Sequence, residues 1–373
     1  MIPFNKPFLT GKETDYITDA VVSGKISGNG KYTQLCQQFF ENKFCIKKTL
    51  LTTSCTDALE MAAILIDIKE GDEVIMPSYT FVSTANAFVL RGAKIIFADS
   101  MPNHPNIDAS KIESLITPKT KAIVPVHYAG VACDMDTIMN LAKKYNLFVI
   151  EDAAQAIDSY YTGKDGIKKA LGSIGHLAAF SFHETKNIIA GEGGMLAIND
   201  EQFINRAEII WEKGTNRSAF FRGEVDKYGW VDIGSSFLPS EIVAAFLWAQ
   251  LENLEAIQKV RKQHWNAYYN QLLNWTKTNE IELPQVPNYA TNNGHMFFLK
   301  CKSMEQRTAL INKLKAKDTH PVFHYISLHS SPYYIDKHDG RSLPNTDTFT
   351  DTLVRLPLFY ELDVQKVINY ILE

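Results

Sequence analysis

Short apolar runs alternate with amphipathic stretches along much of the chain. The runs at 74–76, 95–98, 122–126, 148–150, 178–182 and 195–198 hold almost no polar residues, which predicts strands buried on both faces. Between them, residues 55–67, 82–91 and 134–145 space apolar side chains three and four apart and predict helices; Leu59, Ala62, Ala63, Leu65 and Ile66 show the pattern. Strands alternating with helices of this length imply βαβ units and a mainly parallel central sheet in an α/β fold. Ahead of this block the periodicity predicts a helix around Ile17, Val21 and Val22, stopped by Gly24, and a second at 33–44. Beyond it come a helix at 201–213 and one or two long helices between 240 and 272. Strand 295–300, helix 304–317, strand 321–326 and a closing helix from Asp363 then suggest a smaller C-terminal α/β domain. The boundary is drawn near 250–260, giving a large domain at 1–250 and a small one at 251–373.

Composition adds exclusions. With 45% hydrophobic and 21% charged residues and a net charge of −4, the chain reads as an ordinary globular protein with no nucleic-acid footprint. No stretch reaches 18 apolar residues, and MIPFNKPFLTGKETDY lacks the charged and apolar regions of a secretion signal, so a cytoplasmic protein is expected. The five cysteines (36, 45, 55, 133 and 301) are widely spaced without a C-x-x-C pair, which points to neither a disulfide framework nor a zinc site.

The chemistry gathers around FSFHETKNIIAGEGG, residues 180–194, where Lys186 sits in a polar turn between two buried strands. A lysine so placed has a depressed pKa, and its amine can form a Schiff base with a carbonyl. Most lysines are surface charges, but two further features keep this one company. Strand 148–150 runs into Glu151, Asp152 and Gln155, at a strand's carboxyl end, where open α/β sheets bind ligands. Ser54, Cys55 and Thr56 open the 55–67 helix, and a hydroxyl-rich helix N-terminus suits a phosphate. Cys55 is read there as a small residue whose backbone N–H binds. An aldehyde-reactive amine, a carboxylate and an anion cradle are the three handles that pyridoxal phosphate offers a protein. A carboxylate in Asp152's position could alternatively cap the next helix, and His127 is taken as a structural histidine.

With its S-F-H-x-T-K-N segment and following G-E-G-G, the chain resembles the sugar aminotransferases of the DegT/DnrJ/EryC1/StrS family. The likeness runs nearly end to end, from IPFNKP at 2–7 to VRLPLFY at 354–360. It implies the aspartate-aminotransferase-like architecture, fold type I, with pyridoxal 5′-phosphate as cofactor and a homodimer whose active site lies at the subunit interface. By the same resemblance, Lys186 holds the cofactor and moves the proton, and Asp152 faces the pyridine nitrogen. Gln155 bonds the 3′-oxygen, Phe81 stacks on the ring, and Ser181 with Ser54, Cys55 and Thr56 holds the phosphate. His183 either orients substrate or supports the turn. Related sugar dehydratases carry histidine in place of the lysine, so Lys186 argues against that chemistry. Many members also reach the phosphate from the partner subunit with an asparagine. This chain has Leu238 there, which cannot donate a hydrogen bond, leaving Ser235 or Ser236 to take its place.

The long polar segment 212–236 supplies Lys213, Arg217, Arg222 and Lys227, positive charge suited to a diphosphate or carboxylate. Lys213, Arg217 and Tyr325 are taken as substrate candidates. That segment, EKGTNR…FFRGEVDKY…DIGSS, resembles members that move the amino group of L-glutamate to the C4 keto group of dTDP-4-dehydro-6-deoxyglucose. The product is dTDP-4-amino-4,6-dideoxygalactose, used in enterobacterial common antigen, a cell-surface polysaccharide. The rival readings are a transaminase of another nucleotide keto-sugar, at C3 or with the opposite C4 epimer, and a non-catalytic regulator that binds cofactor or nucleotide sugar.

Overall fold

The computed structural model describes residues 1–373. Its centre is a seven-stranded sheet built from β1 (Lys48–Thr52), β2 (Glu73–Pro77), β3 (Lys94–Ala98), β4 (Thr120–Ile123), β5 (Phe148–Asp152), β6 (Leu177–Ser181) and β7 (Gly194–Ile198), in the spatial order β1-β7-β6-β5-β4-β2-β3. Pairings from β6 through β5, β4 and β2 to β3 are parallel, and β7 lies antiparallel between β1 and β6. Successive residues feed opposite cores: Leu51, Ile75, Ile96 and Val149 pack on one face, Leu50, Val74, Ile95 and Ile150 on the other. Burial on both faces explains why the strands read as unbroken apolar runs.

Most predicted elements form, and the departures have local causes. Strand β4 stops at Ile123 because Pro125 has no N–H to give the ladder; the chain rejoins β5 through a bridge from Val126 to Asp152. The expected helical stretch at 240–272 is two helices, Glu241–Glu252 and Leu254–Thr278, broken at Asn253. No helix follows Asp152; residues 153–158 form turns. Strand β1 was not anticipated, since a five-residue run with two leucines has too little pattern of its own and becomes a strand through its pairing with the distant β7.

A second, antiparallel sheet joins β8 (Phe297–Lys300), β10 (Leu353–Leu356) and β9 (Val322–Phe323) in that order, over its own core with helices Leu254–Thr278 and Val364–Leu372. Of the predicted strand 321–326 only Val322 and Phe323 pair; His324 and Tyr325 leave the sheet and turn toward the first one. Its central strand, β10, was not anticipated. No helix is long and apolar enough to cross a membrane.

One buried network holds the floor beneath the β5 end. Glu151, fully buried, accepts hydrogen bonds from His127 Nε2 (2.8 Å) and from the amides of Gly172 (2.8 Å), Ile174 (2.8 Å) and Gly175 (2.6 Å). His127 is thus the structural histidine expected: Cys133 N–H donates to its Nδ1, leaving Nε2–H to donate to the carboxylate. Burial alone would raise the Glu151 pKa, but the His127 contact and these amides outweigh it and hold the carboxyl below its usual range. A depressed folded pKa gives stability that is fully present above the unfolded value near 4.3 and is lost as the pH falls through the folded value. Glu151→Gln should therefore cost about 3–5 kcal/mol at neutral pH, as expected for breaking a buried pair. Denaturant unfolding of both proteins checks this: the gap should narrow below about pH 4, and a gap independent of pH would refute the assignment.

Candidate active site

The carboxyl ends of the parallel strands open on one edge of the sheet. There a cavity of about 650 Å³ is lined by the turn after β1, the loop after β2, the end of β5 and the β6–β7 loop, with residues from the second sheet opposite. Register brings three of these together: Gly194, first residue of β7, pairs with Thr52 of β1 on one side and with Ser181 of β6 on the other. A Cβ on Gly194 would lie 2.3 Å from Cys55 N, closer than any side chain can come to backbone, so only glycine lets β7 start against the Ser54–Cys55 turn.

That turn opens helix α3 (Cys55–Leu65), numbered after α1 (Glu13–Val22) and α2 (Lys31–Phe44). Ser54 is its N-cap, its Oγ accepting from Asp57 N–H (3.1 Å), and Thr56 Oγ1 donates to Ser83 Oγ (2.8 Å). The amides of Cys55 and Thr56 have no partner within the chain and lie on the cavity, the condition for anion binding at a helix N-terminus. The Cys55 thiol is pushed well above its ordinary pKa by burial and by the nearby Asp152 charge, so it is no thiolate nucleophile.

Asp152 is 6% exposed and held from two sides: Thr84 Oγ1 donates to Oδ2 (2.7 Å) and Ala154 N–H to Oδ1 (3.1 Å). Its backbone neighbour Glu151 points to the opposite face of the strand, which separates the structural carboxylate from the one on the cavity. Gln155 accepts from Ala129 N–H (2.7 Å), and its amide NH₂ faces Tyr325 Oη (3.3 Å).

Lys186 ends its turn with its amine on the cavity, bound by no hydrogen bond or ion pair. Burial lowers its pKa, and the charge of Arg355 adds to that, while Cys55 and Asp152 pull the other way. The neighbouring turn is self-supporting. His183 Nδ1 accepts from Thr185 N–H (3.3 Å) and contacts Thr185 Oγ1 (2.9 Å), and Nε2 faces Glu192 at 3.7 Å.

Ser54, Cys55, Thr56, Phe81, Asp152, Gln155, Ser181, His183, Lys186 and Tyr325 all line this one cavity. Phe81 stands at the start of helix Val82–Val89 with 56% of its surface exposed and its ring 6.2 Å from that of Tyr325, an apolar face open to a ligand. Lys213 and Arg217 do not join them. Segment 212–236 folds back on itself through bridges Glu212–Ser236 and Thr215–Trp230, is tied to helix Ile204–Trp211 by the Arg206–Asp232 ion pair (2.8 Å), and leaves Arg217 over the Phe221 ring. Sequence reasoning missed Thr84, His324 and Arg355. Thr84 lies in a segment already read for Phe81. Arg355 carried a signal of its own, a charge inside the apolar run LVRLPLF.

A reactive amine, an anchored carboxylate on the same cavity, a pair of free amides at a helix N-terminus and an uncovered aromatic ring define a fold type I enzyme that takes pyridoxal 5′-phosphate, and the residues present fit that group. The chain belongs to the DegT/DnrJ/EryC1/StrS aminotransferase family, whose family model matches residues 7–372, and it is a sugar aminotransferase. It is 35% identical to the GDP-perosamine synthase of Escherichia coli O157:H7, over all of this chain and 97% of that one. The aminotransferase TlmJ of Streptoalloteichus hindustanus superposes with a TM-score of 0.90 at 26% identity, covering 100% and 98% of the two chains. DesV of S. venezuelae, solved in complex with a ketimine intermediate, gives 0.88 at 27% identity over 99% and 97%.

Gly194→Ala should force β7 away from α3, costing about 1–3 kcal/mol in overpacking. The expected result is a lower melting temperature together with weaker retention of pyridoxal phosphate, read as loss of visible absorbance on dialysis. Unchanged retention would show that the close approach does not shape the phosphate cradle.

Proposed function

We propose that this enzyme transfers the amino group of L-glutamate to C4 of dTDP-4-dehydro-6-deoxyglucose, yielding 2-oxoglutarate and dTDP-4-amino-4,6-dideoxygalactose. The carrying observation for the reaction type is the partnerless Lys186 amine on the same cavity as the anchored Asp152 carboxylate. When bound, the cofactor supplies an electron sink for the carbanion that forms as the substrate C–H bond breaks. With that group bound, Lys186 would take the proton as base and give it back as acid, first with the amino donor and then, in the reverse sequence, with the sugar. Asp152 would keep a proton on the pyridine nitrogen. One N–H of Gln155 is given to Tyr325 Oη and the other would meet the 3′-oxygen, Phe81 would cover the ring, and the Cys55 and Thr56 amides with Ser54 and Ser181 would hold the phosphate. His183, fixed by Thr185 and facing Glu192, supports the turn.

Substrate identity rests on the resemblance of segment 212–236. A GDP-linked keto-sugar is the second reading, favoured by the 35% identity to a GDP-perosamine synthase. A homodimer is supported by the exposed apolar side chains of that segment, Trp230 at 84% and Phe221 at 69% exposure, a surface a second copy would cover. Lys213 and Arg217 act on substrate only through such an assembly.

The test is spectroscopic. L-glutamate should bleach the visible band of the cofactor-loaded enzyme, the dTDP sugar should restore it, and Lys186→Ala should never develop it. Restoration by the GDP-linked sugar alone would move the assignment to the second reading, and no response to glutamate would refute amino transfer from that donor. Asp152→Asn removes two to three units of pyridine pKa support, roughly 3–4 kcal/mol, so single-turnover rates should fall about a hundredfold or more; a loss under tenfold would argue against the role.

A further inference from the structure

Lys186 lines the cavity, and the next residue, Asn187, does not. Asn187 is buried, and each of its polar atoms has a partner: Nδ2 donates to Gln258 Oε1 (2.7 Å) and to the Asn293 carbonyl (3.0 Å), and Oδ1 lies 2.8 Å from His295 Nδ1. A carbonyl can only accept, so the Asn293 contact fixes which end of the amide is nitrogen. Oδ1 therefore accepts from His295 Nδ1–H, and the imidazole is held as the neutral tautomer with its lone pair on Nε2. Burial, followed by the Lys186 charge, lowers the His295 pKa well below its ordinary value and keeps the ring neutral.

Asn293 extends the network. Its Nδ2 donates to the carbonyls of Gln155 (2.8 Å) and Ile157 (2.9 Å), and its Oδ1 accepts from His295 N–H (2.9 Å). Gln258, on helix Leu254–Thr278, gives its Nε2 to the Ile157 carbonyl (3.5 Å) and to Asp158 Oδ2 (3.4 Å). All four side chains are buried, and no buried polar atom among them is left unpaired. Burying four polar side chains together costs free energy unless every donor and acceptor is met, a condition apolar residues would not impose. What a fully satisfied network adds is a single, rigid arrangement.

We propose that Asn187 and Asn293 are positioning residues that hold Lys186 in register with Gln155, with His295 locking Asn187 in place. This rests on the transaminase reading, in which the lysine is joined to the carbon on C4 of the pyridine ring and Gln155 meets the oxygen on C3, adjacent positions of one ring. Both residues stand outside regular strands, Lys186 in the β6–β7 loop and Gln155 in the turns after β5, where no ladder fixes their spacing. Two hydrogen bonds span the gap, from the Asn187 side chain to the Asn293 carbonyl and from the Asn293 side chain to the Gln155 carbonyl. An amine that drifts from its place loses bond formation and proton transfer before the site loses its ligands, because reacting atoms must be close and aligned.

The test compares Asn187→Leu, close in volume but without hydrogen bonds, with His295→Leu and with His295→Asn, whose amide N–H can stand where Nδ1–H does. When pyridoxal phosphate is added to cofactor-free protein, the visible band should grow about 10- to 100-fold more slowly in Asn187→Leu and His295→Leu, the cost of misplacing a reacting group by about 1 Å. His295→Asn should stay within about threefold of wild type. The analogue 4′-deoxypyridoxine phosphate has no aldehyde for the lysine and should bind every variant within about threefold of wild type; in the loaded enzymes the single-turnover rate with L-glutamate should fall while its half-saturation holds. Band growth at the wild-type rate in Asn187→Leu, or equal losses in analogue binding, half-saturation and rate, overturns the proposal. Should Asn187→Leu fail to fold, the two His295 variants decide by the same readings. If wild type does not respond to L-glutamate, the transaminase reading fails, and the rates of band growth still decide the positioning role.

Discussion

Gly194 runs so close to the Ser54–Cys55 peptide that no side chain fits between them, and the cavity takes its shape from that approach. The antiparallel strand β7 enters the sheet at this point, between the ends of β1 and β6. One close contact therefore aligns the helix whose free amides face the cavity with strand β6 and the β6–β7 loop that carries Lys186. Because the parallel register then carries β6 onto β5, with Ala179 opposite Asp152, the amine and the carboxylate are positioned by backbone pairing and not by flexible side chains.

Charge is distributed with the same economy. Adjacent residues on β5 do opposite work: Glu151 is sealed on one face under four donors, while Asp152 meets the cavity from the other, held by Thr84 and Ala154. The site keeps two cations, Lys186 and Arg355, free of ion pairs, and desolvation presses the lysine toward its neutral, nucleophilic form. A cavity held in this electrostatic imbalance favours anionic ligands.

Six of the seven strands of the first sheet were legible because each repeats a simple physical signal, an apolar run between turn formers. The cofactor side of the site was legible for a related reason: its residues fall at strand ends and at one helix start, positions that local pattern already marks. Strands β1 and β10 carried no such signal, and with β10 went Arg355. Each is a strand only because a partner far away in the chain presents an open ladder to it. Residues 212–236 were read as a source of substrate contacts from their charge, yet within the chain that charge is turned away from the cavity by the segment's own bridges and the Arg206–Asp232 pair.

By itself, then, the sequence determined the layer architecture, the lysine, carboxylate and phosphate handles, and through them the class of chemistry. These depend on residue type and on spacing along the chain, which folding does not alter. Tertiary structure decided which polar groups are satisfied and which are left over. Glu151 and His127 proved to be a closed structural pair, Lys213 and Arg217 lie off the cavity, Arg355 lines it with no ion pair, and the Cys55 and Thr56 amides remain without partners on it. That distinction depends on neighbours brought together across the fold, so spacing along the chain could not show it.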